Sequence, residues 1–216
     1  MRIALEFVRS HVAAETTDMP AWQYGWGEYD AEARQVKFQP LPHFNNYSWQ
    51  GGKELPDEKL GWVLLNADGG HPGDDQKHAA IRRWIAPRDG AVKISGELQH
   101  GSEKGDGVRA RIISSRQAVV GEWAVFHNSA STPVERVEVK KGDIIDFITD
   151  CRGSIEFDSF TWAPMVQYLS VRDETRREWS AKTDFAGPQK EKKKPLSAWD
   201  KYAQVLLLAN ELVFVD

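Results

Sequence analysis

Between Gly61 and Val171 the chain alternates apolar and polar residues in short runs, and each run stops at a turn. In Val108-Arg109-Ala110-Arg111-Ile112 the apolar residues take every second position, which in an extended chain sends them all to one face. The pattern predicts strands near Gly61–Asn66, Ile81–Ala86, Ala91–Leu98, Val108–Ser115, Glu122–His127, Val134–Val139, Ile144–Thr149, Phe157–Ala163 and Met165–Val171. Turns separate them at Pro87–Gly90, Gly105–Gly107, Lys140–Asp143 and Cys151–Gly153. Eight or nine short strands without an intervening helix predict a mainly β fold, an antiparallel β-sandwich of jelly-roll type. Val92, Ile94, Leu98, Val108, Ile112, Val137, Val139, Phe147 and Phe160 are its expected core.

The flanks read differently. Leu5, Val8 and Val12 fall at helical spacing, so a short N-terminal helix is expected within residues 1–17. Residues 18–60 are rich in aromatics interleaved with glycine and proline, and are expected to be irregular. The sandwich is placed at 61–186, a charged linker at 187–196 and a last helix at 197–216. In that helix Ser197 is a suitable N-cap, and Trp199, Tyr202, Val205, Leu206, Ala209 and Leu212 form an apolar face. Leu207, Leu208 and Val213 widen the face beyond one stripe, which calls for a partner: the N-terminal helix, a homodimer, or a larger protein.

Charge and cysteine content narrow the function classes. A net charge of -4, with both signs dispersed, leaves no basic stripe to track a phosphate backbone, so nucleic acid is not an expected partner. The single cysteine, Cys151, excludes an intrachain disulfide and a multi-cysteine zinc site. Arg2, Glu6 and Arg9 interrupt the first segment, so it reads as neither a secretory signal nor a membrane span, and a cytoplasmic chain is expected on that ground.

Several stretches together are similar to the end region of large planctomycete proteins that combine a cytochrome-c-like domain, domains of unknown function and an inserted sandwich. They are Trp22–Tyr29 (WQYGWGEY), Pro40–Phe44 (PLPHF), Trp49–Gly52 (WQGG), Gly70–Gly73 (GHPG), His78–Gly90 (HAAIRRWIAPRDG), Asp158–Pro164 (DSFTWAP) and Tyr202–Asp216 (YAQVLLLANELVFVD). The resemblance implies a carbohydrate-binding-like sandwich from a larger bacterial protein, at the periplasm or cell surface. The Cys-x-x-Cys-His haem attachment of those proteins cannot exist with one cysteine, so no electron-transfer role carries over.

Nine tryptophans exceed what one sandwich core needs, and a sugar ring's C–H face stacks on such rings while its hydroxyls bond planar polar side chains. Trp84, Trp123 and Trp162 lie in predicted strands and read as core. Trp26 and Trp49 lie in the segment expected to be irregular, and are candidate glycan contacts or packing residues. Alternation sends Arg109 and Arg111 to the face opposite Val108, Ala110 and Ile112, and puts Arg82 on one face with Trp84. If these faces coincide they form an Arg–aromatic surface for sugars or acidic glycans; otherwise the arginines pair with Glu97, Glu122 or Asp146. His71, Asp74 and His78 are weak metal candidates, with Pro72 and Gly73 against a shared helical face. Loop carboxylates such as Asp68, Asp74, Asp75 and Asp106 are candidates for structural calcium. No nucleophile elbow, P-loop or HExxH motif occurs, so a non-catalytic glycan- or polysaccharide-binding module is expected, with a structural docking domain as the alternative.

Overall fold

The computed structural model describes residues 20–170 and 176–189, with Trp199, Tyr202 and Val205 as isolated helical positions. The expected N-terminal helix, most of the linker and the rest of the C-terminal helix lie outside the described residues. In chain order the strands are β1 (Trp22–Asp30), β2 (Gln35–Pro40), β3 (His43–Phe44), β4 (Ser48–Gln50), β5 (Leu64–Asn66), β6 (Gly69–His71), β7 (Ala79–Ile85), β8 (Gly90–Ser95) and β9 (Glu97–His100). They continue as β10 (Val108–Ser114), β11 (Ala118–Val125), β12 (Asn128–Ser131), β13 (Val134–Val139), β14 (Ile144–Cys151), β15 (Phe160–Thr161), β16 (Met165–Tyr168) and β17 (Glu178–Ser180). The fold is mainly β, and its paired strands run antiparallel.

Three sheets make two layers. One layer is a six-stranded sheet of order β11-β10-β14-β7-β1-β2. The other combines a seven-stranded sheet, β12-β9-β15-β6-β5-β4-β3, with a four-stranded sheet, β13-β8-β16-β17. Three stretches of chain run from one of these sheets into the other, β12 to β13 among them at Thr132–Pro133. At Gly96 the run predicted as a single strand over Ala91–Leu98 breaks, so that β8 pairs with β13 and β16 while β9 pairs with β12 and β15. A Cβ at Gly96 would meet Thr132 Oγ1 at 3.1 Å and the Trp162 indole nitrogen at 3.3 Å, so the chain turns the corner where a side chain has little room. The same change of sheet separates β15 from β16 at Trp162–Pro164.

The core lies between the layers. All nine residues expected there are buried, from Val92 to Phe160. Tryptophans bridge the layers: Phe147 on β14 lies 5.6 Å from Trp162, and Trp84 on β7 lies 6.2 Å from Tyr168 and 5.9 Å from Trp179. Removing a ring of this kind typically costs about 3–5 kcal/mol. Trp84 and Trp162 are core, as alternation predicts, and Trp123 is partly buried against it.

The segment 18–60 corrects the irregular reading. Trp22–Asp30 forms β1, central enough to pair with both β2 and β7, and Trp22 and Tyr24 are buried in the core. Glycine hid the strand: Gly25 faces Phe38 and the Gln39 carbonyl so closely that a Cβ would come within 2.4 Å of them. The sandwich therefore begins before residue 61.

Candidate functional site

The outward face of the six-stranded sheet carries the expected arginines, but each is already committed. Arg109 Nε donates to Asp150 Oδ1 at 3.1 Å and an Arg111 Nη to Asp150 Oδ2 at 2.5 Å. One strand along, Arg83 grips both oxygens of Asp146, at 2.7 and 2.9 Å. Both carboxylates are almost fully buried, and burial raises their pKa against the lowering pull of the arginines. Phe38 lies 4.0 Å beneath the Arg83 guanidinium. The surface expected if Arg109 and Arg111 shared a face with Arg82 and Trp84 does not form, because Arg82 and Trp84 point inward; the outward arginines stand over Phe38 and Tyr29 instead, and their charges are neutralised internally. The partner of Arg109 and Arg111 is Asp150, with Glu122 a distant 3.8 Å from Arg111.

Arg82 does not join that face. The register Arg82↔Phe147 and Ile112↔Phe147 turns Arg82 inward, where it is 2% exposed. It is corrected from a ligand contact to a buried support: one guanidinium nitrogen donates to the carbonyls of Asn66 and Gly69 at 2.5 and 2.7 Å. Burial lowers its pKa to about 10. Those two carbonyls bracket the β5–β6 turn, which Asn66 also closes by accepting the Asp68 and Gly69 amides.

Above that turn is a depression of about 360 Å3, lined by Tyr47, Trp62, Asn66, Asp68, His71, Ser159 and Thr161 among others. Tyr47 and Trp62 are 70% and 44% exposed, which for rings of this size is costly unless something stacks on them. Tyr47 is raised on the β3–β4 turn, where Asn46 has φ 74° and the Asn45 side chain accepts the Tyr47 and Ser48 amides. The rings of Trp62 and His71 are 6.2 Å apart. His71 Nδ1 lies 2.5 Å from the Pro72 carbonyl, which only accepts, so Nδ1 carries the proton and Nε2 keeps a lone pair. Burial lowers the His71 pKa, favouring the neutral ring. Asp68 pairs with Lys182 at 2.6 Å. Tyr47 stands among the aromatics of the segment expected to be irregular, and Trp62 in a predicted strand that begins only at Leu64, so alternation oriented neither ring toward a shared site.

Trp26 and Trp49 lie apart. Trp26 belongs to β1, not to a loop, and stacks 5.2 Å from the His78 ring. Trp49 lies against Phe44 and Tyr24 and donates its indole N–H to the Ala186 carbonyl at 2.8 Å. With Trp22, Tyr24, Phe38 and Trp179 it walls a second cleft, of about 650 Å3. The one ion pair in that wall, Arg176 with Asp184, is closed on itself.

The metal candidates also disperse. His71 faces Trp62, and His78 bonds Asp75, which caps the short 3-10 turn Gln76–His78. No three His, Cys, Asp or Glu side chains converge among the described residues. Of the calcium candidates, Asp68 is held by Lys182, Asp75 by His78, and Asp106 accepts the Gly153 and Ser154 amides. No described helix is long and apolar enough to cross a membrane.

No family model and no curated protein matches the chain. Among solved structures, a "PA14 sugar-binding domain from RTX adhesin" is similar over 74% of this chain and 96% of that chain, at 10% identity and a TM-score of 0.34.

Proposed function

We propose that the chain is a non-catalytic glycan-binding module on a jelly-roll-type sandwich, and that the depression between Tyr47 and Trp62 is its binding surface. The observation that carries this reading is the pair of exposed rings beside a row of uncommitted polar groups. Tyr47 and Trp62 offer faces to the C–H side of a sugar, and His71 Nε2, Ser159 and Thr161 offer bonds to its hydroxyls. The depression lines up no unpaired cation, since Lys182 is taken by Asp68, so neutral glycans suit it better than acidic ones. A glycosidase needs two carboxylates flanking the bond, and among the described residues Asp68 is the sole acidic one lining the depression. The test is affinity electrophoresis in neutral polysaccharides, following a glycan array. Tyr47→Ala combined with Trp62→Ala is expected to abolish retardation, with about 1–3 kcal/mol lost per anchoring ring. Undiminished retardation by the double variant would sink the assignment.

A docking role is the second reading, favoured by one observation: Trp199, Tyr202 and Val205 are helical and 78%, 56% and 62% exposed. At spacing i, i+3, i+6 they present an apolar stripe suited to a second copy or a larger partner.

A further inference from the structure

Asp158, in the loop between β14 and β15, is fully buried, and among the described residues neither of its carboxylate oxygens has a hydrogen-bond partner. We propose that Asp158 and Asp106 hold a divalent, oxygen-seeking cation of the calcium type between the β9–β10 and β14–β15 loops. A buried carboxylate without donors is among the costliest arrangements a protein can contain, and a bound cation relieves its charge directly. The nearby cations are engaged elsewhere. Arg152 donates to the Asp106 carbonyl at 3.0 Å, and the Lys104 ammonium lies 5.3 Å from the Phe157 ring centroid. Burial raises the Asp158 pKa to about 7, and the negative charge of nearby Asp106 adds to the effect, as expected of two neighbouring carboxylates.

The two loops are already fixed against each other. Asp106 accepts the amides of Gly153 at 2.8 Å and Ser154 at 3.1 Å, which leaves each of its oxygens a further lone pair. A Cβ on Gly105 would stand 2.4 Å from the Glu156 carbonyl, so the backbones touch there. The donor chemistry selects a hard ion. His100 is spent on both sides, with Nδ1 accepting the His127 amide and Nε2 donating to the Phe157 carbonyl. The Cys151 thiol is pushed up to about 11, chiefly by burial and then by Asp158 itself, so it is no ready thiolate. Oxygen ligands remain: two carboxylates plus main-chain carbonyls or water. Calcium accepts such an irregular set, whereas magnesium holds to a strict octahedron and keeps its waters.

Chelator-stripped protein is titrated with CaCl2 and, separately, MgCl2, reading the thermal midpoint and the heat of binding. Calcium is expected to raise the midpoint progressively with concentration, magnesium to do so far less, and Asp158→Asn to lose the calcium shift. A midpoint of the stripped wild-type protein that ignores millimolar calcium overturns the proposal and leaves Asp158 as a protonated acid. So does a full calcium shift retained by Asp158→Asn. Should that variant fail to fold, Asp106→Asn is read in the same way, and an undiminished shift there overturns the proposal equally.

Discussion

Arg82 and Tyr24 face each other across β7 and β1, and burial acts on them in opposite directions. The guanidinium has its pKa lowered to about 10, and the phenol has its pKa pushed up to about 12, with burial the largest cause in both cases. For Tyr24 the sign follows directly. Its pKa in the unfolded chain is the ordinary 10.0, so the protonated phenol is favoured by the fold. The stability this represents is complete below pH 10 and is lost as pH rises through about 12. An ultraviolet titration of tyrosinate should therefore find Tyr24 ionising late, together with Tyr168, whose pKa burial also raises, and Tyr24→Phe should remove the latest part of that step. A tyrosine titration of ordinary midpoint throughout would contradict the burial. Arg82 makes a second test. Arg82→Met leaves the Asn66 and Gly69 carbonyls without their shared donor, at about 1–3 kcal/mol for each acceptor stranded. Urea unfolding should show that loss. The Arg82→Lys variant should recover only part of it, because an ammonium has less reach and no fork.

Among the elements, the β5–β6 hairpin decides the shape of the proposed site. A Cβ on Gly69 would lie 2.0 Å from the Phe160 carbonyl, so any side chain there must push β15 away from β6. Gly69→Ala is expected to cost about 1–3 kcal/mol by overpacking and to weaken glycan retention by spoiling the floor of the depression. Equal stability in urea would show that β15 yields without cost. The longer strands were legible in the sequence because Val108–Ile112 and Val137–Val139 alternate, and their inward residues are the core. The short ones were not. Gly69-Gly70-His71 contains too few residues to display a period, and β1 interleaves glycine with tryptophan, so composition spoke for a loop. The site was less legible than the fold. Alternation placed Arg109 and Arg111 on their correct face, yet it carries no information about Asp150, forty positions away on the neighbouring strand, which neutralises them. Alternation did set Arg82 on the face of the core residue Trp84, but it carries nothing about the Asn66 and Gly69 carbonyls that Arg82 holds there.

For the whole molecule, the open question is what the helical stripe Trp199, Tyr202 and Val205 meets. With a net charge of only -4, electrostatic self-repulsion is weak, and exposed rings of this size drive association. Light scattering on the full chain should report a dimer or larger species at micromolar concentration, and Trp199→Ser with Val205→Ser should return it to monomer. A wild-type chain that stays monomeric at every concentration would remove self-association and leave only an outside partner. Glycan retention should be the same in both forms, since the depression lies on residues 47–71 and 159–161, apart from the stripe.

The bond from the Trp49 indole to the Ala186 carbonyl joins positions 137 residues apart. Phe185 is wedged beside it, with its ring centroid 4.8 Å from that of Tyr24 and 6.2 Å from that of Phe44. Behind this strap lies only the three-residue edge strand β17, hydrogen-bonded to β16. A tensile load applied beyond residue 189 would therefore meet the strap first and then peel β17 one pair at a time, in the unzipping direction where rupture forces are lowest. Peeling β17 also draws Trp179 away from Trp84 and Tyr168, and only afterwards would the load reach Phe147 and Trp162. The sandwich so built has a mechanical fuse: residues 178–189 yield early and lengthen the tether while the Tyr47–Trp62 depression stays folded.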